Sequence, residues 1–245
     1  MKILDSKYIN YHDLNKTVKA LINSGESEVL IKNVQGQRYL GNGIQGRHKI
    51  LIEGIPGNDM AAYMDGPEIT VKGNVQDAVA NTMNSGRIII HGNAGDTTGY
   101  AMRGGEIFIK SNAGYRVGIH MKEYRDKKPV IVIGGKAGDF LGEYMAGGMI
   151  IILGLNIEDG DETIGNFLGT GMHGGIIYVR GDVPSYKLGR EVKKEDASSK
   201  DLNIISYYVK KFSKLFEISY HSIINHKFTK FFAHNKRPYE KLYAH

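Results

Sequence analysis

Gly135-Lys-Ala-Gly-Asp-Phe-Leu-Gly-Glu-Tyr-Met-Ala-Gly-Gly-Met-Ile-Ile-Ile-Leu-Gly154 holds one full turn of a repeat, and reading it decides the fold. Its glycines follow G-xx-G-xxx-G (Gly135, Gly138, Gly142). A methionine, Met145, comes ten residues after the first glycine. A Gly-Gly doublet and an apolar run lead to the next anchor, Gly154. Working outward, the anchors are Gly54, Gly73, Gly92, Ser111, Gly135, Gly154 and Gly181, with a basic period of 19 residues. Two intervals are longer because of charged inserts near Glu123–Lys127 and 156–163, which should loop out on the surface. A fixed period of this kind marks a solenoid.

The columns agree within the units. Four residues before each anchor stand Ile50, Ile69, Ile88, Ile107, Ile131, Ile150 and Ile177. Two before stand Ile52, Val71, Ile90, Ile109, Ile133, Ile152 and Val179. Strand side chains alternate between faces, so both columns share one face. Met64, Met83, Met102, Met121, Met145 and Met172 form a third column. No single coil has enough apolar residues to bury a face alone, whereas stacked coils align these columns into one interior. The repeat glycines Gly92, Gly95, Gly99, Gly114, Gly118, Gly135, Gly138, Gly142, Gly165 and Gly169 are expected at corners. Side chains stacked directly there would collide or need disfavoured φ.

The expected fold is therefore all-β, a single-stranded β-helix of about seven coils at 44–190. It carries an N-terminal α/β cap over 1–43 and a helical, aromatic-rich tail over 191–245. In the cap, Leu14, Val18, Leu21 and Ile22 have helical spacing, with Asp13 as N-cap and Gly25 past the end, and Val29–Ile31 reads as a strand. In the tail, Leu202, Ile205, Tyr208, Val209, Phe212, Leu215 and Phe216 fall on one helix face starting at Ser199 or Asp201, and a shorter helix starts near Ser222. The last stretch, Phe228–Phe232 and Arg237–Tyr243, either folds back on the coil or serves as a docking arm.

Composition narrows function. The chain has no Cys, which removes thiolate catalysis, disulfides and cysteine-held zinc or iron–sulfur centres. The net charge is +6, all of it in the segment from Asp182 onward; residues 1–181 hold 19 basic and 19 acidic side chains. A mixed-sign tail reads as a solvated or docking surface before a nucleic-acid reader. No secretory leader or long apolar span is apparent, so a soluble cytoplasmic protein is expected.

Motifs for chemistry are weak. Gly41–Gly46 and Gly169–Gly174 match GxGxxG, but both run into a strand instead of opening a helix, the opposite of the dinucleotide context. Neither GxSxG nor GxxxxGK[ST] occurs. The nine histidines are scattered, and His91, His120 and His173 occupy different repeat positions. Asp77, Asp96 and Asp139 share one position four after the anchor. They read as polar corner residues that bond turn amides, in preference to a calcium ladder. No catalytic, cofactor-binding or metal-binding residue is assigned.

The run Gly135–Gly154, with Gly169–Gly181 as a last coil, resembles the C-terminal domain of the glutamate synthase large subunit, and the likeness spans roughly residues 44–190. The resemblance implies a right-handed β-helix and a non-catalytic structural role beside amidotransferase and FMN-containing synthase units. FMN and iron–sulfur clusters would then be carried by those partner subunits and not by this chain. A chain holding the repeat by itself is similar to the split organisation in which the three parts are separate subunits, as in archaeal and N-methylglutamate synthase systems. A similar repeat occurs in a formylmethanofuran dehydrogenase subunit, which is the alternative complex. A small independent esterase is the alternative of a different class.

Overall fold

The computed structural model describes residues 1–155, 157 and 162–234. Its centre is a parallel β-solenoid of about six turns. The repeat strands are β3 (Lys49–Ile55), β4 (Asp65–Lys72), β5 (Ser85–Ile90), β6 (Glu106–Ile109), β7 (Val130–Ile133), β8 (Ala146–Ile152) and β9 (Gly174–Arg180). They pair in parallel, in sequence order. The register is the one the repeat dictates: Ile50, Ile69, Ile88, Ile107, Ile131, Ile150 and Ile177 lie side by side. These strands are rich in β-branched residues, whose stiff side chains suit a pleated surface. The short second extended segment of each coil stacks through single bridges, Ala94 to Ala113 to Ala137 to Ile164.

The interior is filled by the expected Ile, Val and Met columns, all buried. One further inner column was not anticipated: Leu40, Met60, Val79, Thr98, Val117, Leu141 and Leu168 are each buried, and from Met60 to Leu141 they stand six residues after an anchor. Each fully buried aliphatic side chain stabilises the fold by roughly 1.5–3 kcal/mol. A stack of identical layers repeats that gain coil after coil.

The stack begins before the first anchor. β2 (Glu28–Gln35) pairs in parallel with β3, and β1 (Lys2–Asp5) pairs in parallel with β2. Helix α1 (Tyr11–Asn23) lies over this end and buries Leu14, Val18 and Ile22 against the coil core. Its N-cap is Asn10, whose side chain accepts the Asp13 amide at 3.0 Å; Asp13 sits three residues inside, not at the cap. The expectation failed because Asn10 and Asp13 are both good cap residues and the earlier one wins the extra turn.

At the other end the sheet reverses. Strand β11 (Phe228–Ala233) pairs antiparallel with β9, and β10 (Val192–Asp196) pairs antiparallel with β11 as the outermost strand. The Phe228–Phe232 stretch therefore folds back on the coil; Arg237–Tyr243 lies outside the described residues.

Helix α2 (Ser199–Phe216) crosses the outer face of the sheet. Its Ile205, Val209, Phe212 and Phe216, with Ile223 of the short helix α3 (His221–Ile224), pack on Ile89, Phe108, Val132, Ile151 and Tyr178. Leu202, expected on the buried face, is exposed, because the first turn of α2 turns Asp201 inward instead. Ser198 is the N-cap, in a capping box with Asp201. The Tyr178 hydroxyl donates to Asp201 at 2.6 Å, and Lys230 lies 3.4 Å from the same carboxylate. Burial alone would raise the Asp201 carboxyl. The hydrogen bonds from Ser198 and Tyr178 and the charge of Lys230 outweigh it and hold the pKa at about 2.

Among the described residues, no helix is long and apolar enough to cross a membrane.

Candidate interaction surfaces of the solenoid

With the interior filled, chemistry is left to three surfaces: a polar corner, a turn face and the outer sheet face. The polar corner carries two side-chain ladders. Asn74, Asn93 and Asn112 each accept, through Oδ1, the backbone amide of the corner residue one coil on, at 2.8–3.0 Å. Asp77, Asp96 and Asp139 do the same three positions later: Asp77 accepts the Asp96 amide at 2.9 Å, Asp96 the Tyr115 amide at 2.8 Å and Asp139 the Asn166 amide at 2.7 Å. The aspartates are the amide-bonding corner residues the sequence suggested. Among the described residues, no group of three or more His, Asp or Glu side chains is placed to hold a metal ion.

These ladders explain the first two glycines of the motif. A Cβ on Gly95, Gly114 or Gly165 would strike the aspartate carboxylate of the coil before. A Cβ on Gly92 or Gly135 would strike the asparagine amide oxygen in the same way. Tyr115 replaces the aspartate before Gly138, whose Cβ would instead lie 3.0 Å from the Gly114 oxygen and the Tyr115 ring.

The third glycine belongs to the turn face, where the backbone does something the sequence reading missed. In every coil three alternate residues are left-handed. Arg116, Gly118 and His120, with φ of 54°, 70° and 55°, are one set, and Phe140, Gly142 and Tyr144 the next. From Ala61 onward the central amide of each set, for example Gly118 to Thr98 and Gly142 to Val117, donates back to the preceding coil at 2.9 and 2.8 Å. The flanking amides donate forward, as His120 does to Glu143 at 3.0 Å and Tyr144 to Thr170 at 2.8 Å. Of the two residues enclosed by each set the first points inward, which produces the unanticipated Leu40-to-Leu168 column. Gly99, Gly118 and Gly142 sit where a Cβ would also meet the inner Ile131, Ile150 and Ile177. Gly169, with φ of 67°, ends the column against Val192 of β10.

Bulky residues also hold left-handed backbone on this face, at a cost of order 1–3 kcal/mol each. They form an aromatic strip. His120 stacks on Tyr144 with centroids 5.3 Å apart and meets Tyr100 edge-on at 5.9 Å. Phe140 stacks on Phe167 at 4.9 Å, with Arg116 over its ring at 4.5 Å. Arg116 also bonds the buried Glu143 at 2.9 Å. Aligning aromatic residues by repeat position, as was done for glycines, would have exposed this strip.

The outer sheet face is a single column: Ile3, Leu30, Leu51, Thr70, Ile89, Phe108, Val132, Ile151 and Tyr178. Helix α2 covers it from Ile89 onward. Along one rim, charges alternate and pair: Lys49 with Glu28 at 3.5 Å, Arg87 with Glu68 at 3.2 Å and with Glu106 at 3.1 Å, and Lys211 of α2 with Glu106 at 2.5 Å. His91 lies on the other rim, edge-on to Phe216 at 5.3 Å. Burial, then Lys72 and Lys110 beside it, push its pKa down.

The GxGxxG runs at Gly41–Gly46 and Gly169–Gly174 are turns that lead toward β3 and into β9, with no helix N-terminus to receive a phosphate.

Comparison with known proteins agrees with this geometry. The family described as "GXGXG motif" matches residues 12–237. A curated protein described as uncharacterized, from Methanocaldococcus jannaschii, is 43% identical over 250 residues, covering 99% of this chain and 96% of that protein.

Proposed function

Because the chain belongs to the GXGXG motif family, we propose that it is a non-catalytic structural subunit of a glutamate synthase-type complex. It would hold a glutamine amidotransferase and an FMN-containing synthase subunit at fixed separation, with FMN and iron–sulfur clusters on those partners. The observation that carries this reading is the use to which the family motif is put. Its glycines make corners and turns, its aspartates bond backbone amides, and the product is a stiff prism with long side faces. Rigid separation matters when ammonia released by one unit must reach another. Cytoplasmic residence follows from the same reading.

The test is reconstitution. The chain is co-expressed with the amidotransferase and synthase subunits of its own source, and the complex is isolated by size exclusion. Glutamate formation from 2-oxoglutarate is then followed with glutamine or with free ammonia as donor. The expected result is a ternary complex whose glutamine-dependent rate falls at least about tenfold when this chain is omitted, with the ammonia-dependent rate nearly unchanged. Failure of the three chains to associate would overturn the reading. So would ester hydrolysis by the pure chain that disappears on replacing one serine.

A further inference from the structure

Where the turn face meets the sheet, Arg103 is a partly buried cation without an acceptor. Its guanidinium bonds no group among the described residues, although its Nε is shut off from solvent. A buried donor left unpaired carries the full cost of its desolvation, and a charged one carries more. Arg103 and Lys122 hold the same place in successive coils: their amides donate to Met83 and Met102 of the coil before at 2.8 and 3.0 Å. The two cations therefore rise from backbone about 4.8 Å apart. Lys122 is exposed and also pairs with no carboxylate among the described residues.

The acids nearby are engaged elsewhere. Asn84, the neighbour of Arg103 on the other side of the column, is neutral. Asp65, one coil farther back, accepts from Ser85 and pairs with Lys127 at 3.4 Å. Glu106 faces Arg87 and Lys211 on the outer sheet. Glu123 pairs with Lys128 at 3.4 Å and accepts the Gly148 amide at 3.1 Å. Asp126, exposed at the tip of the insert, bonds neither Arg103 nor Lys122.

The insert itself walls this corner. Tyr124 and Lys127 exchange backbone hydrogen bonds at 3.1 and 3.0 Å, which closes a tight hairpin. The hairpin folds back in space that two glycines leave. A Cβ on Gly104 would lie 3.0 Å from the Lys127 side chain, and one on Gly147 would lie 2.6 Å from the Glu123 amide nitrogen. Lys127 thus passes Gly104, the residue after Arg103, on its way to Asp65. A planar guanidinium supplies paired N–H donors and an ammonium beside it supplies a third, a set that matches the oxygens of a carboxylate or a phosphate.

We propose that Arg103 and Lys122, beside the hairpin at 123–127, form a binding site for a small oxyanion bearing a carboxylate or phosphate group. The site goes beyond the scaffold reading above and stands or falls without it.

The test follows the Arg103 Nε–H signal and the Lys122 amide signal of the isotope-labelled full chain by NMR. Sodium phosphate and sodium succinate are titrated separately, against sodium chloride at equal ionic strength. Either oxyanion is expected to move both signals saturably, with Kd on the order of 1 mM, and chloride should not. Arg103→Lys keeps the charge but not the paired donors and should weaken binding at least about tenfold, read from the Lys122 amide. Lys122→Gln should weaken it about fivefold. Lys110→Gln, on the outer sheet, should change Kd less than twofold. Lys122 is exposed, so Lys122→Gln should keep the wild-type spectrum elsewhere and decides the matter even if Arg103→Lys does not fold. A shift that does not saturate, or that chloride reproduces, would overturn the site. So would an unchanged Kd in Lys122→Gln. Signals that ignore both oxyanions and move only on adding an amidotransferase or synthase subunit would put the acceptor on a partner side chain and overturn the small-molecule site.

Discussion

The outer face of the sheet is built on one register but is covered differently along its length. Over β5 to β9 the outward column is Ile89, Phe108, Val132, Ile151 and Tyr178, and strands β7 and β8 are buried on both faces. Over β3 and β4 the same column is Leu51 and Thr70, flanked by charge. The inner columns do not change between the halves. Burial of the inner face thus makes the solenoid, and burial of the outer face records what lies on top of it. A strand apolar on both faces is covered twice, and a strand that alternates is covered once.

The comparison breaks first if the shared interior is not shared. Gly142→Val and Gly41→Val sit at the same turn position in the two halves, with φ of 69° and 78° and an inner isoleucine against each Cβ. Both should lose about 4 kcal/mol or more, from left-handed strain plus overpacking. Thermal melting should then show a fall of about 10 °C or outright insolubility for each. A large loss in only one would show that the halves differ inside as well.

The outer faces should separate next. Phe212→Ala removes a fully buried ring from the roofed half and should cost about 3–5 kcal/mol in denaturant unfolding. Truncation before Ser199 should go further and leave an aggregating coil, because Val132, Ile151 and β9 lose their cover. A monomeric truncated coil with unchanged melting would show that the tail is an arm and not a roof.

Acid should act most strongly on the roofed half, through Asp201. Asp201 has a folded pKa of about 2, below the unfolded value of about 3.9. Its contribution, on the order of 2 kcal/mol, is therefore fully present above pH 4 and lost as pH falls from about 4 to 2. Asp201→Asn should flatten that part of the acid-melting curve; an unchanged curve would place the acid sensitivity elsewhere. The smallest effect belongs to Leu51→Asp, which should move stability by less than about 1 kcal/mol, since its side chain already meets water. A loss as large as that of Phe212→Ala would mean the open half is not open.

Much of this was readable from the residues. The Ile, Val and Met columns gave the strands, their register and the core, because a 19-residue period and a strand alternation leave little freedom. The column from Leu40 to Leu168 was missed for a physical reason. Alternating left-handed residues also give an in-and-out pattern, but in a segment that contains alanine, threonine and arginine where glycine would be expected. The helix of the tail was legible from its spacing, yet its place was not, since an apolar helix face says only that something covers it. The decisive sign was available in the strands: Val130-Ile-Val-Ile133 and Met149-Ile-Ile-Ile152 leave no polar side for water. On the candidate surfaces, the aspartates were read correctly because a corner amide needs an acceptor. The aromatic strip and the partial exposure of Leu51 and Thr70 depend on neighbours many residues apart and emerged only from the stacked coils.

The reversal at β11 has one more consequence. A stack of parallel coils with two matching ends would be a polymer subunit, since the last strand of one molecule could template the first strand of the next and grow a filament without limit. Here the leading edge is a four-residue parallel strand beside a helix, and the trailing edge is antiparallel and carries Lys193, Lys194, Glu195 and Asp196. The two ends do not match in direction or in charge. The periodicity that builds the molecule is thereby kept from propagating beyond it.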